Sequence, residues 1–143
     1  MTWFSDRQEW NDVLALAPNT FNEFNTFFGA FQQLPHIPAE TLELCRLRVA
    51  QLHLCNSAQR TELVTLAAEK KDSLANWTSV DLFTASERAC LEFAELYTMD
   101  VQSLTDEQAE AVKAHFGDAG LVALVQALGM FYGTTRVRQL WDI

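Results

Sequence analysis

The feature that most constrains this chain is how rarely its helical patterning is interrupted. Its 143 residues contain five glycines and three prolines. No run alternates apolar and polar residues between turn signals, as a half-buried strand does. Ser5 or Asp6 can cap a first helix from about Arg7 to Ala17, with Trp10, Val13, Leu14 and Ala17 on one face. Pro18 closes it, and Asn19 or Thr20 opens a second helix carrying Phe21, Phe24, Phe27, Phe28 and Phe31. That aromatic helix reads first as core and second as an oligomer interface, because interface cores are also aromatic-rich. Leu34 to Pro38 is a stiff connector, since proline restricts both itself and its predecessor.

A third helix is expected from about Ala39 to Leu54. Its apolar residues fall almost all round, the mark of a central helix. A fourth follows over roughly Ser57 to Lys71, then a loop-like stretch, Asp72 to Phe83, with Trp77 as its anchor. Thr84-Ala-Ser-Glu87 and Thr105-Asp-Glu-Gln108 both read as capping boxes. The first starts a helix to about Tyr97, the second a helix that Gly117 ends. The last helix spans about Ala119 to Leu140, where Gly120, Gly129 and Gly133 permit close packing. The expected fold is an all-α, single-domain bundle of six or seven helices over residues 1–143.

The formal charge of -9 argues against nucleic acid or an anionic membrane as partner. Residues 72–143 hold 4 basic and 11 acidic side chains, so most of that charge sits in the C-terminal half, where it favours solubility. No apolar run reaches the length of a membrane span, and the first ten residues do not read as a signal peptide. The three cysteines, Cys45, Cys55 and Cys90, do not form a disulfide framework, which makes a reducing cytoplasm the expected location. No metal-ligand spacing, phosphate loop or nucleophile elbow is visible, so neither metal nor cofactor is implied.

The run Glu43-Leu-Cys-Arg-Leu-Arg-Val-Ala-Gln-Leu-His-Leu-Cys55 resembles the signature of the carboxymuconolactone decarboxylase family, in particular its alkylhydroperoxidase D-like branch. That branch carries a Glu, twelve positions later the first Cys of a C-x-x-C pair, and a His four residues after the second Cys. Glu43 and Cys55 fit the first two positions, whereas Ala58 replaces the second cysteine and Glu62 the histidine. The likeness continues through Leu74-Ala-Asn-Trp77, Leu82 to Ala89, Phe93 to Thr98, Leu104 to Glu107 and Leu121 to Ala127, covering about residues 40–140. It implies an alkylhydroperoxidase D-like bundle, an antioxidant ancestry in thiol-dependent peroxide reduction, and assembly as a dimer, trimer or hexamer.

The intact family site has a physical logic. A thiol reacts as its thiolate, which a helix N-terminus favours. A second thiol three residues on can resolve a sulfenic acid, a histidine one turn further can take its proton, and the Glu orients that histidine. In the family the second cysteine is usually given the peroxide-attacking role. Without a thiol at position 58 the dithiol cycle cannot run. Cys55, Ala58 and Glu62 are expected to share a helical face, and if Glu43 and Glu62 lie close to Cys55 their two carboxylates would disfavour a thiolate there.

Each candidate also has a bland reading. Cys55 as a small buried hydrophobe is the commoner fate of a free cysteine, and Cys45 and Cys90 read as core. Glu43 is either solvent-facing and paired with Arg46, or a retained acid-base group with Arg46 and Arg48 as charge partners. His53, two residues before Cys55, is a further candidate base or a capping group. Three functions follow. One is a divergent alkylhydroperoxidase-like protein acting, if at all, through Cys55 with an external thiol, its pocket of Glu43, Cys55 and Glu62 open to a small molecule. The others are an acid-base, decarboxylase-like enzyme using Glu43 and a non-catalytic oligomeric binding protein.

Overall fold

The computed structural model describes Trp3, Phe4 and residues 6–143. Among these every regular element is a helix or a helical turn, with no strand. Seven helices follow in order: α1 Trp10–Leu14, α2 Pro18–Ala30, α3 Ala39–Leu52, α4 Asn56–Arg60, α5 Ala68–Ser73, α6 Ala85–Met99 and α7 Asp106–Trp141. Short 3-10 turns occupy Phe31–Gln33, Leu74–Ser79 and Val101–Ser103.

The centre is α3, as its all-round apolar pattern implied. Nine of its fourteen residues are buried, and it packs against both α6 and α7. Cys90, Leu91, Phe93 and Ala94 come to meet it from α6, and Ala123, Leu124, Ala127, Leu128 and Phe131 from α7. Each fully buried leucine contributes roughly 1.5–3 kcal/mol. The Thr84 capping box forms in both directions: Glu87 N–H donates to Thr84 Oγ1 at 3.2 Å, and Thr84 N–H to Glu87 Oε2 at 3.1 Å. At Thr105 the N–H and the hydroxyl both donate to Gln108 Oε1, at 3.0 and 2.7 Å.

Gly117 breaks α7 with φ 68° and ψ -175°, a backbone state that favours glycine, so the sequence's two C-terminal helices meet there. Just after the break, a Cβ on Gly120 would lie 2.2 Å from Phe116 Cβ and 3.3 Å from the His36 carbonyl oxygen. The glycine therefore lets α7 press onto the Leu34–Pro38 connector. By length and composition α7 is also apolar enough to cross a membrane, contrary to the expectation that no run was. Its buried apolar side chains, Val112, Ala123, Leu124, Ala127, Leu128 and Phe131, lie in the core of the bundle.

Several sequence expectations are corrected. The first helix is only Trp10–Leu14, with Glu9 rather than Asp6 at its cap position; Ser5 lies outside the described residues. Pro18 does not close that helix but opens α2, at a position where its missing N–H has no helical partner to lose. None of the α2 residues is fully buried. Phe28 packs against the core, Phe31 enters it just beyond the helix, and Phe27 is exposed, so α2 leans on the bundle by one edge.

The expected fourth helix is two short ones. At Thr61 the backbone turns extended (φ -75°, ψ 126°), the Thr61 hydroxyl donates to Ser57 O at 2.9 Å, and Arg46 binds the carbonyls of Ala58 and Thr61. Carbonyls held by an arginine are unavailable to a helix ladder, and the β-branched run Thr61, Val64 and Thr65 adds a further penalty. Helix resumes only at Ala68.

Candidate functional site

The site region begins where α3 stops. Leu54 takes φ 55°, while Leu54 N–H donates to Gln51 O at 3.0 Å and Cys55 N–H to Ala50 O at 2.9 Å. This pair of bonds is a Schellman-type stop, normally built on glycine because a side chain in the left-handed region costs about 1–2 kcal/mol. The usual accompanying apolar contact is also present, since Ala50, Cys55 and Ala58 form their own small buried cluster. Leu54 itself is 82% exposed, so nothing is gained from burying it. The stop turns the chain so that Cys55 stands at the head of α4.

Cys55 is 4% exposed and lines an open cleft of about 840 Å³ together with Trp10, Ser57, Arg60 and Arg138. Its Sγ lies 3.6 Å from Ser57 Oγ, and the Ser57 hydroxyl donates to the Ile143 carbonyl oxygen at 2.7 Å. With that proton committed, the thiol is the donor to Ser57. The Arg138 guanidinium sits 4.5 Å above the Trp10 ring. Burial lowers its pKa; the charge of Cys55 acts to raise it, and that of Arg46 lowers it further.

The other thiols differ completely. Cys45 and Cys90 are 0% exposed in the core. Burial pushes the Cys45 thiol well above its ordinary value, aided by Cys90 and by the negative charge of Glu87. Burial followed by Glu87 pushes Cys90 up to about 12. Both are inert at neutral pH, as their apolar neighbours in the sequence suggested.

Glu43 is buried rather than solvent-facing, and Arg46 occupies it. Arg46 Nη2 donates to Glu43 Oε1 at 2.6 Å and Nε to Oε2 at 2.9 Å, while Leu63 N–H reaches Oε1 at 3.3 Å. Arg46 Nη1 also donates to Ala58 O at 2.9 Å, and Nη2 to Thr61 O. The pair therefore fastens segment 58–63 to α3. Arg48, the other expected partner of Glu43, instead binds Glu95 Oε1 at 2.6 Å, where Trp77 Nε1 also donates at 2.8 Å. Trp77 thus anchors its turn as expected.

The remaining candidates do not converge on the thiol. Because α4 ends at Arg60, Glu62 does not share a helical face with Cys55 and Ala58; its side chain is 47% exposed and faces Lys71 at 3.5 Å. The expected pairing of the Glu43 and Glu62 carboxylates against Cys55 is not formed. His53 caps the end of α3 with its ring edge-on to Tyr132 at 4.9 Å. Its Nε2 is buried without a hydrogen-bond partner among the described residues, and burial, then the positive Arg136, lowers its pKa. Neither Glu43, Glu62 nor His53 lines the Cys55 cleft. Sequence reasoning missed Ser57 and Arg138. A serine two residues after Cys55 was a legible signal; Arg138, 83 positions downstream in a patterned helix, offered none.

The fold is that of alkylhydroperoxidase D-like proteins. The chain superposes with a TM-score of 0.77 and 18% identity on ATU0492 from Agrobacterium tumefaciens, a protein of unknown function described as a candidate antioxidant defence protein AhpD, over 91% of this chain and 92% of that one. The debrominase Bmp8 superposes with the same TM-score of 0.77 and 16% identity, over 90% of this chain and 72% of that one. In sequence, 105 residues are 27% identical to the uncharacterized protein YnjA of Escherichia coli (strain K12). That stretch is 70% of this chain but 58% of YnjA, so the likeness spans little more than half of that protein's length. No protein-family model matches the chain.

Proposed function

We propose that this chain is a divergent alkylhydroperoxidase D-like protein that has lost the dithiol cycle and works through one thiol, Cys55, with an external thiol as reductant. The observation that supports this reading most is the contrast among its cysteines. Cys55 alone of the three lines a cleft, with a hydroxyl and a guanidinium beside it, and the buried residue three positions on is Ala58.

The chemistry is that of a single-cysteine peroxide reductase. The Cys55 thiol loses its proton to water in the open cleft. The thiolate attacks one peroxide oxygen; the O–O bond breaks, and the leaving oxygen takes up a proton as an alcohol. Cys55 is now a sulfenic acid. One external thiol condenses with it, releasing water and forming a mixed disulfide, and a second external thiol displaces Cys55 and carries away the disulfide. Ser57 can turn its hydroxyl proton to the thiolate, and Arg138 supplies positive charge where negative charge develops. Glu62 takes no part, and Glu43 positions Arg46 rather than a base. The acid-base reading through Glu43 is disfavoured because that carboxylate is saturated by three donor groups. A reducing, cytoplasmic setting and self-association belong to the same proposal; light scattering tests the latter.

The test is consumption of an organic hydroperoxide in the presence of dithiothreitol. Turnover abolished by Cys55→Ser and retained by Glu62→Ala and Cys90→Ala supports the reading. Turnover indifferent to Cys55→Ser, or none at all with folded protein, rejects it.

A further inference from the structure

A second pocket, of about 360 Å³, lies beyond the Trp10–Arg138 pair from the Cys55 cleft. Its apolar wall is built from rings. Trp10 and Phe24 have centroids 5.9 Å apart, and Phe24 stacks on Phe28 at 5.4 Å. Its polar wall carries Arg138 and Thr135. Arg138 forms no ion pair with an Asp or Glu side chain among the described residues; its one polar contact is a long 3.5 Å bond from Nη1 to the Ile143 carbonyl oxygen. Thr135 is only 2% exposed and lines the same pocket. Its neighbour Thr134 donates back to the Met130 and Phe131 carbonyls, at 2.8 and 3.1 Å, whereas the Thr135 hydroxyl makes no hydrogen bond among the described residues. A hydroxyl and a guanidinium with no Asp or Glu partner among the described residues thus line the same pocket, a set of donors that suits a carboxylate.

Arg46 also reaches this pocket, but its donors are occupied by Glu43, Ala58 and Thr61, so it contributes field rather than a free fork. Two guanidinium groups near one pocket repel each other, and an anion between them removes that repulsion. At the mouth stands Glu9, an exposed carboxylate, and the chain as a whole carries -9. A ligand with a second negative charge would meet both.

We propose that this pocket binds a small aromatic monocarboxylate, its ring against Trp10, Phe24 and Phe28 and its carboxylate on Arg138 and Thr135. The planar fork of arginine matches a carboxylate, and the volume suits a molecule of one or two rings. The site does not rest on the Cys55 reading, because binding here requires no thiol. Cys55→Ser should bind as the wild type does, and loss of peroxide turnover leaves this site untouched.

The experiment is calorimetric titration of the full chain with naphthoate, its neutral carboxamide and a naphthalene dicarboxylate. The carboxylate is expected to bind about tenfold or more tightly than the amide, the worth of a charge-assisted pair, and the dicarboxylate more weakly than the monoacid. Arg138→Gln should lose that tenfold, and Arg138→Lys part of it. Thr135→Val, which keeps shape and removes only the hydroxyl, should cost several-fold while helicity by circular dichroism is unchanged. Equal binding of acid and amide, indifference to both Arg138→Gln and Thr135→Val, or no heat from any of the ligands with folded wild-type protein would each overturn the site.

Discussion

Helix α3 carries two thiol environments, one in its body and one just past its end. Cys45 and Cys90 of α6 are both fully buried in the core and close enough for Cys90 to weigh on the Cys45 thiol. Cys55 follows a strained stop, heads a five-residue helix and opens on a cleft beside Ser57 and Arg138. The residue type is the same. What differs is the backbone. A regular helix hands its side chains to neighbouring helices, whereas a left-handed stop turns one out of the packed layer into a groove. Chemistry here follows the interruption of structure rather than the identity of the amino acid.

The sharpest way to break that contrast is thiol labelling in native buffer. Cys55 should react with iodoacetamide at least about a thousandfold faster than Cys45 and Cys90, whose exposure requires global unfolding. Mass mapping of alkylated peptides checks this, and comparable rates at the three sites would erase the distinction. Above pH 9 the buried pair should also weaken the fold. Their folded pKa values are raised, so the unfolded chain releases protons there first and gains. A Cys45→Ala/Cys90→Ala double variant should show a flatter alkaline limb in urea melts.

Next in size is the fastening between the regions. Arg46→Met leaves the Glu43 carboxylate buried and unpaired, and releases the Ala58 and Thr61 carbonyls. The expected loss is about 3–5 kcal/mol by urea denaturation. The double replacement Glu43→Leu with Arg46→Met should recover much of it, since it is the orphaned charge that costs most. A single variant losing under about 1 kcal/mol would mean that the pair is solvated and the segment held by something else.

Much of the core was legible. The all-round apolar run of α3, the two capping boxes and the Gly117 break all rest on local rules that tertiary contacts left standing. The candidate site was legible only in part: the family register singled out Cys55, which lines a cleft, and Glu43, which lies outside that cleft in a buried pair with Arg46. Glu43 and Cys55 were placed by spacing, but their partners are set by the fold: Arg46 reaching across to the Ala58 and Thr61 carbonyls is a tertiary bond that overrides the helical period of residues 57–71. That override is why Glu62, in helical register on paper, points away toward Lys71. The aromatic spacing of α2 fitted a core helix, yet only burial decides whether a ring stripe is covered, and α2 lies at the margin.

Smaller effects sharpen the picture of the stop itself. Leu54→Gly should stabilise the protein by up to about 1 kcal/mol, because the left-handed strain is relieved and an exposed side chain gives up no burial. A destabilisation instead would assign Leu54 a contact outside this chain. His53, with its pKa lowered from 6.5, should make stability fall as pH drops below about 6.5, since the unfolded state then binds more protons. His53→Gln should flatten that slope. Smallest of all, Glu62→Ala removes an exposed pair with Lys71 and should change stability by no more than about 1 kcal/mol, without altering Cys55 labelling.

The central claim is that one thiol acts alone, and the most direct measurement is the fate of Cys55 after stoichiometric hydrogen peroxide without reductant, read by intact and peptide mass spectrometry with dimedone present. The expected outcome is a dimedone adduct on Cys55, no intrachain disulfide, and no modification of Cys45 or Cys90. Ala58→Cys should convert the adduct into a Cys55–position 58 disulfide, and adding Glu62→His should change nothing more. A disulfide from Cys55 to either core cysteine in the wild-type chain, or a Cys55 that peroxide leaves untouched while the protein still consumes it, would contradict the claim.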